Sequence, residues 1–153
     1  MEKNDYIKQL FHARKLRSDE EYQLFESAFE KLDLTITVDD LNEICKVFCD
    51  DTEDDEMMFN LIHLIERLPE DDYLKGIAIY SPNMVEGYNW AKILNRRILN
   101  NRKNHYKYIN IINTLKQCDK TKILELLFDV KKNTPEKFSE TINEFFAKGE
   151  FFE

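Results

Sequence analysis

The sequence predicts an all-α protein, and three observations carry that expectation. Apolar residues recur at helical spacing along almost the whole chain, cap signals stand in front of those segments, and only 3 Gly and 3 Pro are present. A sheet protein needs many tight turns and therefore more of both. With 153 residues, 42% of them hydrophobic and 12% aromatic, one domain over 1–153 is expected to bury its own core without metal or disulfide support.

The helices follow in order. Ile7, Leu10 and Phe11 mark a first apolar face, Tyr22, Phe25, Phe29 and Leu32 a second, and Leu41, Ile44, Cys45 and Phe48 a third. Ser18 with Glu21, Thr37 with Asp40 and Thr52 with Asp55 each set a hydroxyl three residues before a carboxylate, so that side chains can satisfy the free amides of a helix start. Over residues 53–68 apolar side chains cover most of the circumference, leaving Glu56, Asn60, His63 and Arg67 as a narrow polar stripe. Such a helix is expected to be covered on most sides.

Further helices are expected over 70–80, 83–100, 104–116, 120–132 and 135–148. Ser81-Pro82 and Thr134-Pro135 mark two of the starts, because proline at the first helical position loses no needed donor, and Gly149 is a C-terminal cap. The polar run Asn100-Asn-Arg-Lys-Asn104 breaks an otherwise continuous helical pattern. Connections of two to six residues make consecutive helices antiparallel neighbours. The expected architecture is a single-domain stack of antiparallel helical hairpins, an irregular helical bundle. Any likeness to HEAT solenoids would be of shape only, since no fixed-period repeat is visible.

Composition removes several function classes. The scarcity of glycine leaves no phosphate-cradling loop. No stretch approaches the roughly 20 apolar residues of a membrane span, and the start Met1-Glu-Lys-Asn-Asp lacks the apolar core of a secretory signal, so a cytoplasmic location is expected. Three cysteines, two of them (Cys45 and Cys49) at helical spacing, fit free thiols in a reducing compartment. Lys+Arg 22 against Asp+Glu 30 gives a net charge of -8, which argues against direct nucleic-acid binding, and with no spanning stretch no membrane partner is expected. The asymmetry says more: residues 18–72 hold 19 acidic side chains against Lys31, Lys46 and Arg67. A field so lopsided favours fast, salt-sensitive association with a basic protein surface.

Chemistry is sparse. His63-x-x-Glu66 lacks the second motif that a helical di-metal site needs, and Cys45-x-x-x-Cys49 has helical rather than zinc-ligand spacing, so His63, Cys45 and Cys49 read as structural and no metal or cofactor is expected. A HEPN-type ribonuclease would carry an arginine four to six residues before a histidine. Arg96, Arg97 and Arg102 stand nine, eight and three residues before His105, and none fits. The basic run Lys92, Arg96, Arg97, Arg102, Lys103 and Lys107, with Tyr106 and Tyr108, could contact phosphate and stack bases, or simply form a solvated face. No catalytic residue is assigned.

The strongest local feature is Asp50-Asp-Thr-Glu-Asp-Asp-Glu56, six carboxylates in seven residues. Acids in a first helical turn are favoured by the macrodipole, which accounts for part of the run. Asp50 and Asp51 are expected at the C-terminal end of the preceding helix, where the same argument makes them unfavourable. Helix-end electrostatics and partner binding remain two readings. Calcium is disfavoured, because the D-x-D-x-D-G spacing is missing.

The blocks Cys45-Lys-Val-Phe-Cys-Asp-Asp-Thr-Glu-Asp-Asp-Glu-Met-Met-Phe-Asn-Leu-Ile-His-Leu-Ile-Glu66 and Asn89-Trp-Ala-Lys-Ile-Leu-Asn-Arg-Arg-Ile-Leu-Asn100 resemble an all-α family of bacterial immunity proteins found beside polymorphic toxins, including contact-dependent growth inhibition (CdiI-type) systems. The resemblance implies a cytoplasmic non-enzyme that binds the toxic C-terminal nuclease domain of a cognate effector and blocks its active site. Similar proteins accompany EndoU-type ribonuclease toxins, which makes a basic, RNA-cleaving domain the first expectation for the partner. An α-helical RNA-binding or RNA-cleaving protein is the alternative, and a helical adaptor a third reading. The expected toxin-binding residues are Asp50, Asp51, Glu53, Asp54, Asp55 and Glu56. If helices alternate in direction, Tyr80, Asn83 and Glu86 lie at the same end of the stack.

Overall fold

The computed structural model describes residues 2–133, 136–149 and 151. Among them it is all-α, with nine α-helices and no strand, as the periodicity predicts. These are α1 (Lys3–Ala13), α2 (Asp19–Leu32), α3 (Leu41–Cys45), α4 (Asp55–Glu66), α5 (Glu70–Tyr80), α6 (Tyr88–Leu99), α7 (His105–Thr114), α8 (Gln117–Lys132) and α9 (Glu136–Gly149), with short 3-10 turns at Val38–Asp40, Ser81–Asn83 and Arg102–Asn104. No helix among the described residues is long and apolar enough to cross a membrane. The helix start expected at Thr134-Pro135 lies outside the described residues.

The chain gathers into two compact units. The first is Met1–Tyr73 with Met84–Trp90, and the second is Leu74–Asn83 with Ala91–Glu153. In the first, α1 packs on α2, burying Ile7, Leu10 and Ala13 with Phe25, Ala28 and Leu32. The connection between these helices passes through Leu16, a buried leucine at φ 53, in the left-handed region that a Cβ disfavours. Helix α4 buries Met57, Met58, Leu61, Ile62, Leu64 and Ile65, while Glu56, His63 and Arg67 are exposed and Asn60 is half-buried. The expected polar stripe is there, and Arg67 uses it to reach Asp33 at 2.6 Å.

Two of the three cap signals act as read. Ser18 accepts the amide of Glu21 at 3.1 Å, and Thr37 with Asp40 forms a reciprocal capping box. The third is corrected. Asp54, not Thr52, caps α4 by accepting the amide of Met57 at 3.2 Å, and the hydroxyl of Thr52 instead donates to the carbonyl of Arg14 at 2.9 Å. Helix α3 is also shorter than its apolar pattern suggests. It ends at Cys45, and Phe48 is buried from an irregular connection.

In the second unit α7 packs against α8 and α9, and the turn Ser81–Asn83 lies against α8. The helix expected over 83–100 begins only at Tyr88, because the proline at position 82 sits in a single 3-10 turn that does not propagate. The Asn100–Asn104 break is observed, with α6 ending at Leu99 and α7 beginning at His105. Among the described residues three polar side chains, Ser81, Asn95 and His105, are buried, and each makes at least one hydrogen bond, though His105 Nδ1 has none. Asn95 donates to Ser81 at 3.0 Å and to the carbonyl of Ala91 at 2.9 Å, and accepts the hydroxyl of Tyr108 at 2.5 Å. His105 Nε2 lies 2.6 Å from the carbonyl of Leu99, tying the end of one helix to the start of the next.

Candidate functional site

The acidic run occupies the connection between α3 and α4 and the first turn of α4, and neighbouring segments hold it from two sides. On one side stands the α1–α2 connection. There the carbonyl of Lys15 accepts the amide of Glu53 at 2.9 Å, the carbonyl of Arg14 accepts the hydroxyl of Thr52, and the guanidinium of Arg17 pairs with Asp51 at 2.5 Å. On the other side is the segment 84–90. The amide of Asp50 donates to the carbonyl of Glu86 at 2.8 Å, the carboxylate of Asp50 accepts the amide of Asn89 at 3.1 Å, and Trp90 Nε1 donates to the carbonyl of Cys49 at 3.1 Å. Arg14 closes the ring of contacts by pairing with Glu86 while lying 3.9 Å over the Phe11 ring.

This geometry overturns the expectation that Asp50 and Asp51 sit unfavourably at a helix C-terminus. Helix α3 ends at Cys45, well before them, and the carboxylate of Asp50 meets the first turn of α6, where the helix dipole welcomes negative charge. Close approach of the backbone makes this possible. Gly87 lies so near Phe48 that a Cβ built on it would fall 2.4 Å from the Phe48 carbonyl oxygen, so only glycine fits without a shift. The indole of Trp90 fills the space beside it, between Phe48 at 6.3 Å and Phe59 at 5.1 Å.

The candidate residues divide by what already engages them. Asp50 and Asp54 cap α6 and α4, while Asp51 and Glu86 are paired with Arg17 and Arg14. Glu53, Asp55 and Glu56 are exposed, the last two in the first turn of α4. Glu86 is brought against the acidic run, as expected. Tyr80 is half-buried and Asn83 exposed, and both belong to the second unit. The negative potential registers on Tyr22 of α2. A hydrogen bond with Glu26 and the charge of that carboxylate, a little desolvation, and the charges of Asp54 and Glu56 together raise its phenol above the ordinary 10.0.

Charge separates between the units. The first holds 22 Asp and Glu against 8 Lys and Arg, the second 8 against 14. Within the basic run of the second unit, Tyr106 is exposed with Lys148 Nζ 4.9 Å above its ring, and Arg102 pairs with Glu144 at 3.1 Å. Tyr108 is fully buried, so the base-stacking role considered for it is removed. Cys45 and Cys49 are buried and free, and burial pushes the Cys45 thiol up to about 12. His63 is exposed, and no group of three or more His, Cys, Asp and Glu among the described residues could hold a metal ion.

Sequence reasoning missed Arg14, Arg17, Gly87 and Asn89. The basic cluster Arg14-Lys-Leu-Arg17, standing just before the acidic stretch, was the available signal for the first two. No local signal links residues 50 and 89.

No curated protein and no solved structure matches the chain. A family model does, that of immunity protein 30, over residues 12–108, a span that holds the α1–α2 connection, the acidic run and the segment 84–90. The chain thus belongs to the immunity protein 30 family and is an immunity protein of a toxin system, with a cognate toxin as its partner.

Proposed function

We propose that the protein neutralises the nuclease domain of a contact-dependent growth inhibition effector by binding it, without catalysis of its own. In this reading the nuclease is an EndoU-type ribonuclease, and the two meet in the cytoplasm. The toxin-facing surface is the acidic run from Asp50 to Glu56 with Glu86. Tyr80 and Asn83 are candidates of the second unit alone. A ribonuclease must present basic residues to bind its polyanionic substrate, and a negatively charged surface seated over them excludes RNA without any chemistry.

The observation that supports this most is the placement of the carboxylates. Glu53 is exposed on a connection whose backbone is already hydrogen-bonded, and Asp55 and Glu56 are exposed in the first turn of α4, so all three charges are open to a partner. Helix-end electrostatics accounts for Asp50 and Asp54, which cap helices, and favours Asp55 and Glu56 in the first turn of α4, but leaves Glu53 unexplained.

The experiment is a kinetic binding assay against the cognate toxin's nuclease domain, comparing the parent with the triple variant Glu53→Gln, Asp55→Asn, Glu56→Gln over a range of salt concentrations. The variant should fold, associate more slowly and show a shallower salt dependence. Unchanged rates and salt slope would place the interface elsewhere. Cleavage or gel retardation of RNA by the purified chain alone would favour the RNA-acting alternative.

A further inference from the structure

The α1–α2 connection carries two arginines whose side chains each pair with a carboxylate of the acidic segment or of the residues that hold it, while the Arg14 guanidinium also donates to the carbonyl of Phe11 at 2.9 Å. Arg17 pairs with Asp51, although both side chains are substantially exposed, at 48% and 71%. Arg14 is mostly covered, stacks on Phe11, and pairs with the exposed Glu86, whose carbonyl in turn takes the amide of Asp50. Backbone groups of the same connection take up Thr52 and Glu53. Its path passes through Leu16 at φ 53, in the left-handed region that a Cβ disfavours.

An exposed ion pair such as Arg17–Asp51 contributes little to global stability. Its cost to electrostatic attraction is plain, since the guanidinium cancels a negative charge beside the patch. An arginine such as Arg17, which weakens the field and barely strengthens the fold, is accounted for if it orders the segment. A connection carrying four carboxylates, with two more in the helical turn that follows, repels itself and would lose conformational freedom on binding, and one already held in place loses less.

We propose that Arg17 and Arg14 are positioning residues of the toxin-binding surface. From the α1–α2 connection they hold residues 50–54 and Glu86 in one arrangement, exchanging some long-range attraction for slower dissociation. This inference rests on the preceding reading of the acidic run as the toxin-facing surface.

The test compares the parent, Arg17→Ala, Arg17→Lys and Arg14→Lys in the kinetic assay described above, with amide exchange of Asp50, Glu53 and Met57 measured on the free proteins. Arg17→Ala should keep the parent melting temperature within a few degrees, exchange faster at Glu53, associate somewhat faster because the patch gains negative charge, and dissociate roughly tenfold faster. Arg17→Lys should restore the association rate and part of the dissociation rate, since it returns the charge without the planar fork. Arg14→Lys, which keeps the charge and much of the stem over Phe11, should exchange faster at Asp50 and also dissociate faster. A role in stability alone would not raise an association rate. If the triple carboxylate variant weakens binding while Arg17→Ala and Arg14→Lys leave dissociation unchanged, the positioning role is overturned and the functional reading stands. If the triple variant binds like the parent, both fall.

Discussion

The carboxylate of Asp50 accepts the backbone amide of Asn89 at 3.1 Å, across 39 positions of sequence. An acid counted in sequence as one of six clustered charges is thus a side-chain cap for α6, supplied by a distant part of the chain. Side-chain caps of this kind contribute about 0.5–2 kcal/mol, and asparagine serves nearly as well as aspartate. Asp50→Ala should therefore lower stability in urea unfolding by about that amount, while Asp50→Asn should stay close to the parent. Equal losses in the two variants would show that the charge, not the hydrogen bond, carries the contribution.

Gly87→Ala places a methyl group 2.4 Å from the Phe48 carbonyl oxygen, a backbone atom that cannot swing aside. The segments 48–50 and 84–90 must separate, and the expected cost is about 1–3 kcal/mol, as for other overpacked sites. Faster amide exchange at Asp50, whose hydrogen bond to Glu86 spans the same gap, should accompany the loss. A variant with parent stability would mean the gap opens freely.

Tyr22 offers a spectroscopic probe of the acidic surface. Its phenol is raised above 10.0 by Glu26 first, then by Asp54 and Glu56, so Glu26→Gln should lower its midpoint in a phenolate absorbance titration, with Tyr22→Phe identifying the signal. The sign for stability follows. The unfolded chain releases this proton at a lower pH than the folded one, so stability drops as pH rises past 10. Below that pH both states keep the proton, and Tyr22 adds no slope.

Thiol chemistry should separate the three cysteines. Cys118 is exposed, whereas Cys45 and Cys49 are buried and the Cys45 thiol is held at about 12. A thiol reagent at neutral pH should modify one cysteine in the folded protein and three in denaturant, because only an accessible thiolate attacks. Two modified residues in the folded state would indicate that the region around Cys49 opens.

Helix existence was legible in the sequence because periodicity is a local property. The buried stripes of α1, α2 and α4 follow their spacing, although Phe11 and Tyr22, read as part of the first two, are exposed, and Ser18 and Thr37 act as read. What failed was local evidence answered by a distant competitor. Thr52 has the spacing of a cap, yet its hydroxyl goes to Arg14, 38 positions away, and Asp54 takes its place. Phe48 continues the spacing of α3, but its connection is drawn out of the helix to meet Gly87 and Trp90. The acidic run could be found by composition alone. Which of its carboxylates cap, which pair and which are exposed depends on Arg14, Arg17 and Asn89, and side chains that meet only after folding leave no mark in a window of sequence.

The first compact unit is discontinuous, closing only when Met84–Trp90 returns to residues 48–50. Biosynthesis gives that fact a temporal meaning. A nascent chain that has displayed its first 73 residues still lacks Glu86, Asn89 and Trp90, so neither the partner of the Asp50 carboxylate nor that of the Cys49 carbonyl yet exists outside the ribosome. Contacts so far apart in sequence form late, once the intervening loop can be closed. The acidic segment is therefore held from one side alone until then, and a protein truncated ahead of Met84 would carry every carboxylate of the run with only the α1–α2 connection to hold them.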